Sequence, residues 1–146
     1  RFVMAGSGDL LRKMIRRAAR LGITDKFHFT NFLKGKDVDR MFGLSDVYVM
    51  PSVSEPFGIS PLEAMRSNVP VIISKQSGVS EILKHAIKID FWDIDAMADA
   101  IYGLVNYSGL SSMFIEHGKT EVDNLKWENA AKNVCDVYES LLETTE

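Results

Sequence analysis

Residues 47–73 read VYVMPSVSEPFGISPLEAMRSNVPVII, and this stretch decides the fold class. Its first four residues have the pattern of a short apolar strand, and its last three have the pattern of another. Between them a helical pattern starts at Gly58 or Ser60 and ends at Asn68, a residue type that tolerates the left-handed conformation after a helix. A strand, a helix and a strand in this order predict parallel strands joined by a crossover helix.

The same alternation continues on both sides of this stretch. Strands apolar on both faces predict an α/β, Rossmann-like domain, in which helices cover both faces of a parallel sheet. Residues 1–146 are predicted to form this single domain. The further strands are expected at 2–5, 27–30 and 86–89, and the helices at 10–22, 37–44, 79–83 and through most of the chain after residue 93. Because ligands of such sheets bind beyond the carboxyl ends of the strands, the loops 6–9, 51–59 and 74–80 are the candidate site.

Composition excludes several classes of protein. The chain is 46% hydrophobic and 25% charged, as in ordinary globular proteins, and its net charge of −3 argues against a nucleic-acid partner. The single cysteine, Cys135, rules out an internal disulfide, and the helical pattern around it predicts a buried apolar residue. No stretch has the length of a membrane span and no signal-peptide pattern is present, so we expect a cytoplasmic location.

The loop and helix from Glu55 onward carry the strongest chemical signal. Pro56 holds Glu55 in an extended conformation, and Gly58 lets a ligand approach the backbone closely. The amides of residues 58–60 would then lie unpaired at a helix start, which is a site for an anion such as a diphosphate. Glu55 and Glu63 flank this anion site, and carboxylates placed there suit the hydroxyls of a sugar.

Each of these features also has a structural reading. Residues 60–63, Ser-Pro-Leu-Glu, match a capping box in which Glu63 bonds back to the Ser60 amide, and Glu55 can be an exposed loop acid. The glycine loop at 6–8 fails the dinucleotide fingerprint because Leu11 stands where a glycine is needed. Gly6 therefore belongs either to a tight turn capped by Asp9 or to a backbone wall near a nucleotide. Spacing alone leaves these alternatives open.

The motifs together resemble the GT4-type retaining glycosyltransferases, whose two-domain architecture is called GT-B. The likeness covers essentially the whole chain and runs through SDVYVMPS at 45–52, EPFG at 55–58, LEAM at 62–65, PVI at 70–72, VMAGSG at 3–8, NFL at 31–33, Gly78 with Glu81, and Trp127-Glu128. The resemblance implies that Glu55 is the catalytic-site acid that accepts hydrogen bonds from the donor sugar. It also implies that the amides of Phe57, Gly58 and Ile59 hold sugar and diphosphate, that Glu63 binds the ribose, and that backbone at Phe32 and Leu33 borders the nucleobase.

The resemblance implies a function as well. The chain is expected to be the donor-binding, C-terminal domain of an enzyme that transfers a sugar from a nucleotide-diphosphate sugar to an acceptor hydroxyl, with no metal or other cofactor. The form Glu-Pro-Phe-Gly is also seen in α-glucan synthases of this superfamily, which implies a glycogen-synthase-like role as a refinement. The acceptor, whether glycan, lipid or small molecule, is expected to bind to an absent N-terminal domain. Alternatives are a GT-B epimerase or phosphorylase, or a nucleotide-sugar-binding module without activity of its own.

Departures from the family pattern are local, except at the start of the chain. Ser77 and Asn68 stand where the family usually has glycine. The resemblance implies that the family's first strand would precede residue 1, together with an Arg and a Lys that neutralise the diphosphate. The chain is therefore expected to be an inactive piece of a longer enzyme. We expect strand 2–5 to pair directly with strand 47–50, or to associate with a second chain, rather than leave an open slot.

One charged feature remains unassigned. A basic stripe on the first helix is most simply a solvated face, and peripheral contact with an anionic membrane is the alternative; it consists of Arg12, Lys13, Arg16, Arg17 and Arg20.

Overall fold

The computed structural model describes residues 1–143 and has an α/β fold with parallel strands. In chain order the elements are β1 (Phe2–Ala5), α1 (Leu11–Arg20), β2 (Phe27–Asn31), α2 (Lys36–Gly43), β3 (Tyr48–Met50), α3 (Ser60–Arg66), β4 (Val71–Ser74), β5 (Ile87–Ile89), α4 (Ile94–Asn106), α5 (Ser108–Asn124) and α6 (Trp127–Glu143). Short 3-10 helices occupy Thr24–Lys26 and Gly78–Glu81. Each predicted strand and helix up to residue 93 is therefore present, with ends that differ by a few residues.

The chain divides into two compact units, Arg1–Met41 and a second that begins at Phe42. In the first unit β1 and β2 are parallel, and the rings of Phe2 and Phe27 stack with centroids 5.1 Å apart. Ala18 is the one buried residue among positions 1–41, so this unit has little core of its own. The single domain of residues 1–146 that the sequence predicts stays a prediction.

The core lies in the second unit, around the parallel sheet β3-β4-β5. All four residues of the central strand β4 are buried, as expected for a strand covered on both faces. Ile72 packs with Ile89 and with Leu104 of α4 on one face. Because side chains alternate along a strand, Val71 and Ile73 point to the other face.

Two expectations about structure are wrong, and a third is wrong in one of its two alternatives. The described residues form a two-stranded sheet, β1-β2, and a separate three-stranded sheet, so direct pairing of strands 2–5 and 47–50 is not formed, while association with a second chain stays a prediction. Cys135 is exposed rather than buried, because every residue of α6 up to Leu142 is exposed. Asp9 does not cap α1, whose first residue follows Leu10 without a side-chain cap. Asn68, as predicted, is left-handed after α3, with φ 62°.

The five cations of the basic stripe are all exposed on α1. Within residues 1–143, no helix combines the length and apolar character that crossing a membrane requires.

Candidate functional site

The loop between β3 and α3 is shaped by Gly58. This residue has φ +93°, a conformation that side chains rarely adopt. A Cβ placed there would also lie 3.0 Å from the Cε of Met50 and 3.2 Å from the Cγ of Glu55. The stem of the Glu55 side chain therefore lies close to the Gly58 backbone, and any other residue at position 58 would be strained by the positive φ and would have to displace these side chains slightly.

A second loop, which follows β4, fixes the other side of the Glu55 segment. The amide of Gly78 donates to the Glu55 carbonyl at 2.9 Å, and the amide of Val79 donates to the Phe57 carbonyl at 2.7 Å. A Cβ at Gly78 would overlap the carbonyl oxygen of Pro56. The loops 51–59 and 74–80, which the sequence selected separately, are thus brought together at the carboxyl ends of β3 and β4.

Three consecutive backbone amides in the first loop are free to bind a ligand. Within the described residues, the N–H groups of Phe57, Gly58 and Ile59 donate no hydrogen bond. Helix α3 begins immediately after Ile59, which contributes no side-chain cap. Unpaired amides at a helix start favour a negatively charged group, and the binding of sugar and diphosphate by these three amides stays a prediction.

The capping box that competed with a functional role for Glu63 is absent. The hydroxyl of Ser60 is hydrogen-bonded to the phenol of Tyr48 at 2.8 Å and makes no cap. Glu63 is exposed in the first turn of α3, and its carboxylate makes no hydrogen bond to any described residue. It is therefore free to accept hydrogen bonds from a bound molecule.

Electrostatics place both carboxylates near the same phenol. Burial raises the pKa of Tyr48, the Ser60 hydrogen bond lowers it, and the negative charges of Glu63 and Glu55 raise it further, so that the net shift is upward. The phenol consequently keeps its proton at neutral pH and remains a hydrogen-bond donor. Tyr48 was not singled out from the sequence, since the apolar pattern of residues 47–50 indicated only a strand, and Ser60 was considered only for its backbone amide and for a capping box.

The remaining predicted residues lie in the first unit. The Gly6 amide donates to the Asn31 carbonyl at 2.8 Å, which joins the loop after β1 to the loop after β2. Phe32 is 65% exposed, and the Nζ of Lys34 lies 5.6 Å from the centroid of its ring. Leu33 is half-buried. The roles of Gly6, Phe32 and Leu33 stay predictions from the family resemblance.

The loop that follows β4 contributes to a polar cluster that the sequence did not predict. The cluster consists of Ser74, Lys75, Gln76 and Asp90, at the carboxyl ends of β4 and β5. The loop 74–80 was marked by its place in the fold, but nothing in its sequence identified Gln76 or its partner fourteen residues later. No group of three or more potential metal ligands occurs within residues 1–143.

The chain is similar to known proteins over most of its length. The family model described as glycosyl transferases group 1 matches residues 1–121. An uncharacterized glycosyltransferase from Methanocaldococcus jannaschii is 32% identical over 98% of this chain, and a D-inositol 3-phosphate glycosyltransferase from Salinispora tropica is 28% identical over 92% of it. The chain spans 38% and 29% of the lengths of these two relatives.

A solved structure shows the same fold. The crystal structure of HepE from Anabaena in complex with UDP-glucose matches with a TM-score of 0.80 at 17% identity, covering 94% of this chain and 40% of that one. The family-model match over residues 1–121 includes the loops 6–9, 51–59 and 74–80. The chain belongs to the glycosyl transferases group 1 family.

Proposed function

We propose that this chain binds a nucleotide-diphosphate sugar and that the whole protein transfers the sugar, with retention of configuration, to an acceptor hydroxyl. The observation that carries the proposal is a run of three free amides that lies in the chain between two acids, Glu55 and Glu63, whose carboxylates make no hydrogen bond to any described residue. Glu55 and Glu63 both lie close enough to Tyr48 to raise its pKa, and the amides of residues 57–59 lie between these acids in the chain.

The chemistry of the donor accounts for this mixture of groups. A diphosphate needs N–H donors and is repelled by carboxylates, whereas sugar hydroxyls are good donors to carboxylates. We assign the amides of Phe57, Gly58 and Ile59 to the diphosphate side of the donor. Glu55 is assigned to the transferred sugar and Glu63 to the ribose, as the family resemblance implies.

The same amides would assist the reaction itself. As the bond between the sugar and the diphosphate breaks, negative charge grows on the departing phosphate oxygen. Fixed N–H groups aimed at that oxygen stabilise the charge without having to reorient, which lowers the barrier. Glu55 would hold the sugar in the orientation from which the acceptor hydroxyl attacks. This proposal requires no metal or further cofactor.

Binding measurements test the proposal directly. Isothermal titration of the protein with UDP-, ADP- and GDP-glucose, and with each free nucleoside diphosphate, should give saturable binding for one base. The sugar-linked form of that base should bind more tightly than the free diphosphate, because Glu55 then gains its partner. Binding of that pair should weaken at least about tenfold in a Glu55→Ala, Glu63→Gln double variant that remains folded. If none of the six ligands binds and none raises the melting temperature, the donor-site assignment is wrong.

A further inference from the structure

Asp90 and Gln76 form a hydrogen-bonded pair at the carboxyl ends of β5 and β4. The Asp90 carboxylate accepts hydrogen bonds from the Nζ of Lys75 at 2.8 Å and from the Nε2 of Gln76 at 3.0 Å. These two bonds hold the pKa of Asp90 below its usual range, so the carboxylate is charged at neutral pH. One acid thus binds two consecutive residues of the loop that follows β4.

The amide group of Gln76 has a single orientation that satisfies its neighbours. Its Oε1 accepts from the Ser74 hydroxyl at 2.8 Å and from the Phe91 amide at 3.4 Å, while its Nε2 faces Asp90. Exchanging oxygen and nitrogen would set an N–H group against the Phe91 N–H and an oxygen against the carboxylate. Gln76 therefore links the end of β4 to the segment after β5 in one defined geometry.

The turn that contains Gln76 continues directly into the contacts with the Glu55 loop. Buried Ser77 donates its hydroxyl to the Ser74 carbonyl at 2.7 Å, which closes the turn. The next two amides, of Gly78 and Val79, donate to the carbonyls of Glu55 and Phe57. A shift of the turn would therefore be transmitted to the backbone of Glu55 within two residues of Gln76.

We infer that Gln76, oriented by Asp90, is a positioning residue that sets where Glu55 presents its carboxylate to the donor sugar. The inference rests on the proposed function, because Gln76 is argued to act on Glu55, which is assigned there to the donor sugar. Gln76 acts through the turn and through the Gly78–Glu55 hydrogen bond. Loss of the Gln76 side chain should therefore weaken the contribution of the sugar to binding and leave the contribution of the nucleotide unchanged.

A pair of substitutions with mutual rescue provides the test. Gln76→Glu replaces the N–H that faces Asp90 with an oxygen, so two carboxylates oppose each other and the turn is released. Adding Asp90→Asn restores a hydrogen bond in the reverse direction, since the new amide at position 90 donates to position 76 and still offers an oxygen to Lys75. Asp99→Asn, on the exposed side of α4, is the matched control for the loss of a carboxylate.

Hydrogen exchange gives the first readout and needs no ligand. In Gln76→Glu, the amides of Gly78 and Val79 should exchange about tenfold faster than in the wild type, because the hydrogen bonds to residues 55 and 57 open locally. The amide of Ile73, in the buried strand β4, should be unchanged in every variant. The double variant should return to within about threefold of the wild-type rate, the spread expected for contact energies that depend on context.

Ligand affinity gives the second readout, with the nucleotide sugar and the free nucleoside diphosphate that bind in the titrations above. The dissociation constant of the free diphosphate divided by that of the nucleotide sugar should fall at least about threefold in Gln76→Glu, recover in the double variant and stay constant in Asp99→Asn. Faster exchange with an unchanged ratio would show a purely structural cluster and overturn the inference. Equal exchange in all variants would overturn it as well. If no nucleotide sugar binds the wild type, the proposed function fails, and the exchange rates still decide whether Gln76 holds the Glu55 segment.

Discussion

At Ser60 a hydroxyl that could cap helix α3 is hydrogen-bonded to the phenol of Tyr48 instead. A capping box joins residues three apart, so it can be recognised in a sequence, whereas the bond to Tyr48 joins residues twelve apart and depends on the folded sheet. The consequence is chemical, because Glu63 is left without a partner in residues 1–143. The capping interpretation of Glu63 is therefore wrong, and its role in binding the ribose stays a prediction.

Glu63→Gln should weaken binding of the free nucleoside diphosphate. The substitution removes the charged acceptor of a hydrogen bond from the ribose, which should cost about 1.5–3 kcal/mol of binding free energy. Since Glu63 makes no bond that supports the fold, the melting temperature should be unchanged. Isothermal titration and thermal denaturation measure the two quantities, and Glu128→Gln in the first turn of α6 is the matched control. Unchanged affinity with a lower melting temperature would return Glu63 to a structural role.

Glu55→Ala should separate sugar binding from nucleotide binding. Because the partner assigned to Glu55 is the transferred sugar, affinity for the free nucleoside diphosphate should be within about threefold of wild type, while turnover of the intact enzyme falls by a factor on the order of 100. Titration with the free diphosphate and a transfer assay make the comparison. Much weaker binding of the free diphosphate would contradict the assignment of Glu55 to the sugar.

At the scale of elements, the contact between the two loops is close enough to exclude any side chain at position 78. Gly78→Ala should lower the free energy of unfolding by about 1–3 kcal/mol. The new methyl group overlaps the Pro56 carbonyl, and this carbonyl belongs to the backbone, so it cannot move aside as a flexible side chain would. Gly109→Ala, in α5 with open space around it, should leave stability unchanged or raise it by up to about 1 kcal/mol. Urea denaturation measures both variants. If Gly78→Ala were as stable as Gly109→Ala, the two loops would be able to move apart without loss of stability, which contradicts this prediction.

Helix α5 is attached to the segment before β5 by Glu121. Its carboxylate accepts from the amides of Lys84 at 2.7 Å and His85 at 2.9 Å and contacts the His85 Nδ1 at 3.0 Å. Burial raises the pKa of Glu121, but these hydrogen bonds and the His85 ring outweigh burial, and the pKa is lowered overall. A carboxyl with a lowered folded-state pKa adds stability above its unfolded pKa, and this stability is lost as the pH falls through the folded pKa.

Glu121→Gln should therefore destabilise the protein in a pH-dependent manner. At neutral pH the loss should be about 1–3 kcal/mol, since the new NH2 group faces donors that it cannot satisfy. The difference from wild type should shrink as the pH falls into the acidic range where the wild-type carboxyl takes up its proton. Urea denaturation at a series of pH values measures the difference, with Glu116→Gln on the exposed face of α5 as control. A difference that is constant with pH would mean that the charge of Glu121 contributes nothing.

The elements also show how far the sequence predicts this structure. Apolar patterns located the strands, and β1 begins and ends as predicted at Phe2–Ala5, although all four of its residues are exposed. Helix α5 was not distinguished within the helical remainder, because its sequence mixes polar and apolar residues around the helix. Cys135 was predicted to be buried because its helix has an apolar stripe, but a stripe does not reveal whether another element covers it. Gln76 and Asp90 could not be paired, since their contact depends on the register of β4 and β5.

Across the whole molecule, burial is distributed unevenly. The region before Phe42 contains one buried residue, Ala18, whereas the second unit contains the covered strand β4 and its neighbours. Local unfolding requires less free energy where little apolar surface is buried. Amides of β1 and β2 should therefore exchange at least about 100-fold faster than those of β4. Hydrogen exchange followed by mass spectrometry tests this prediction, and uniform protection across the five strands would contradict it.

The close fit of Gly78 against Pro56 also determines how this site can be re-engineered. A library that varies residues 53–59 while keeping 74–80 fixed would sample only loops whose backbone still passes over a glycine in the same place. The two segments are separated in the chain by helix α3 and most of strand β4, yet their backbones are hydrogen-bonded to each other. A graft intended to change donor preference should therefore carry both loops from the same parent, together with the pair at positions 76 and 90 that holds the second one.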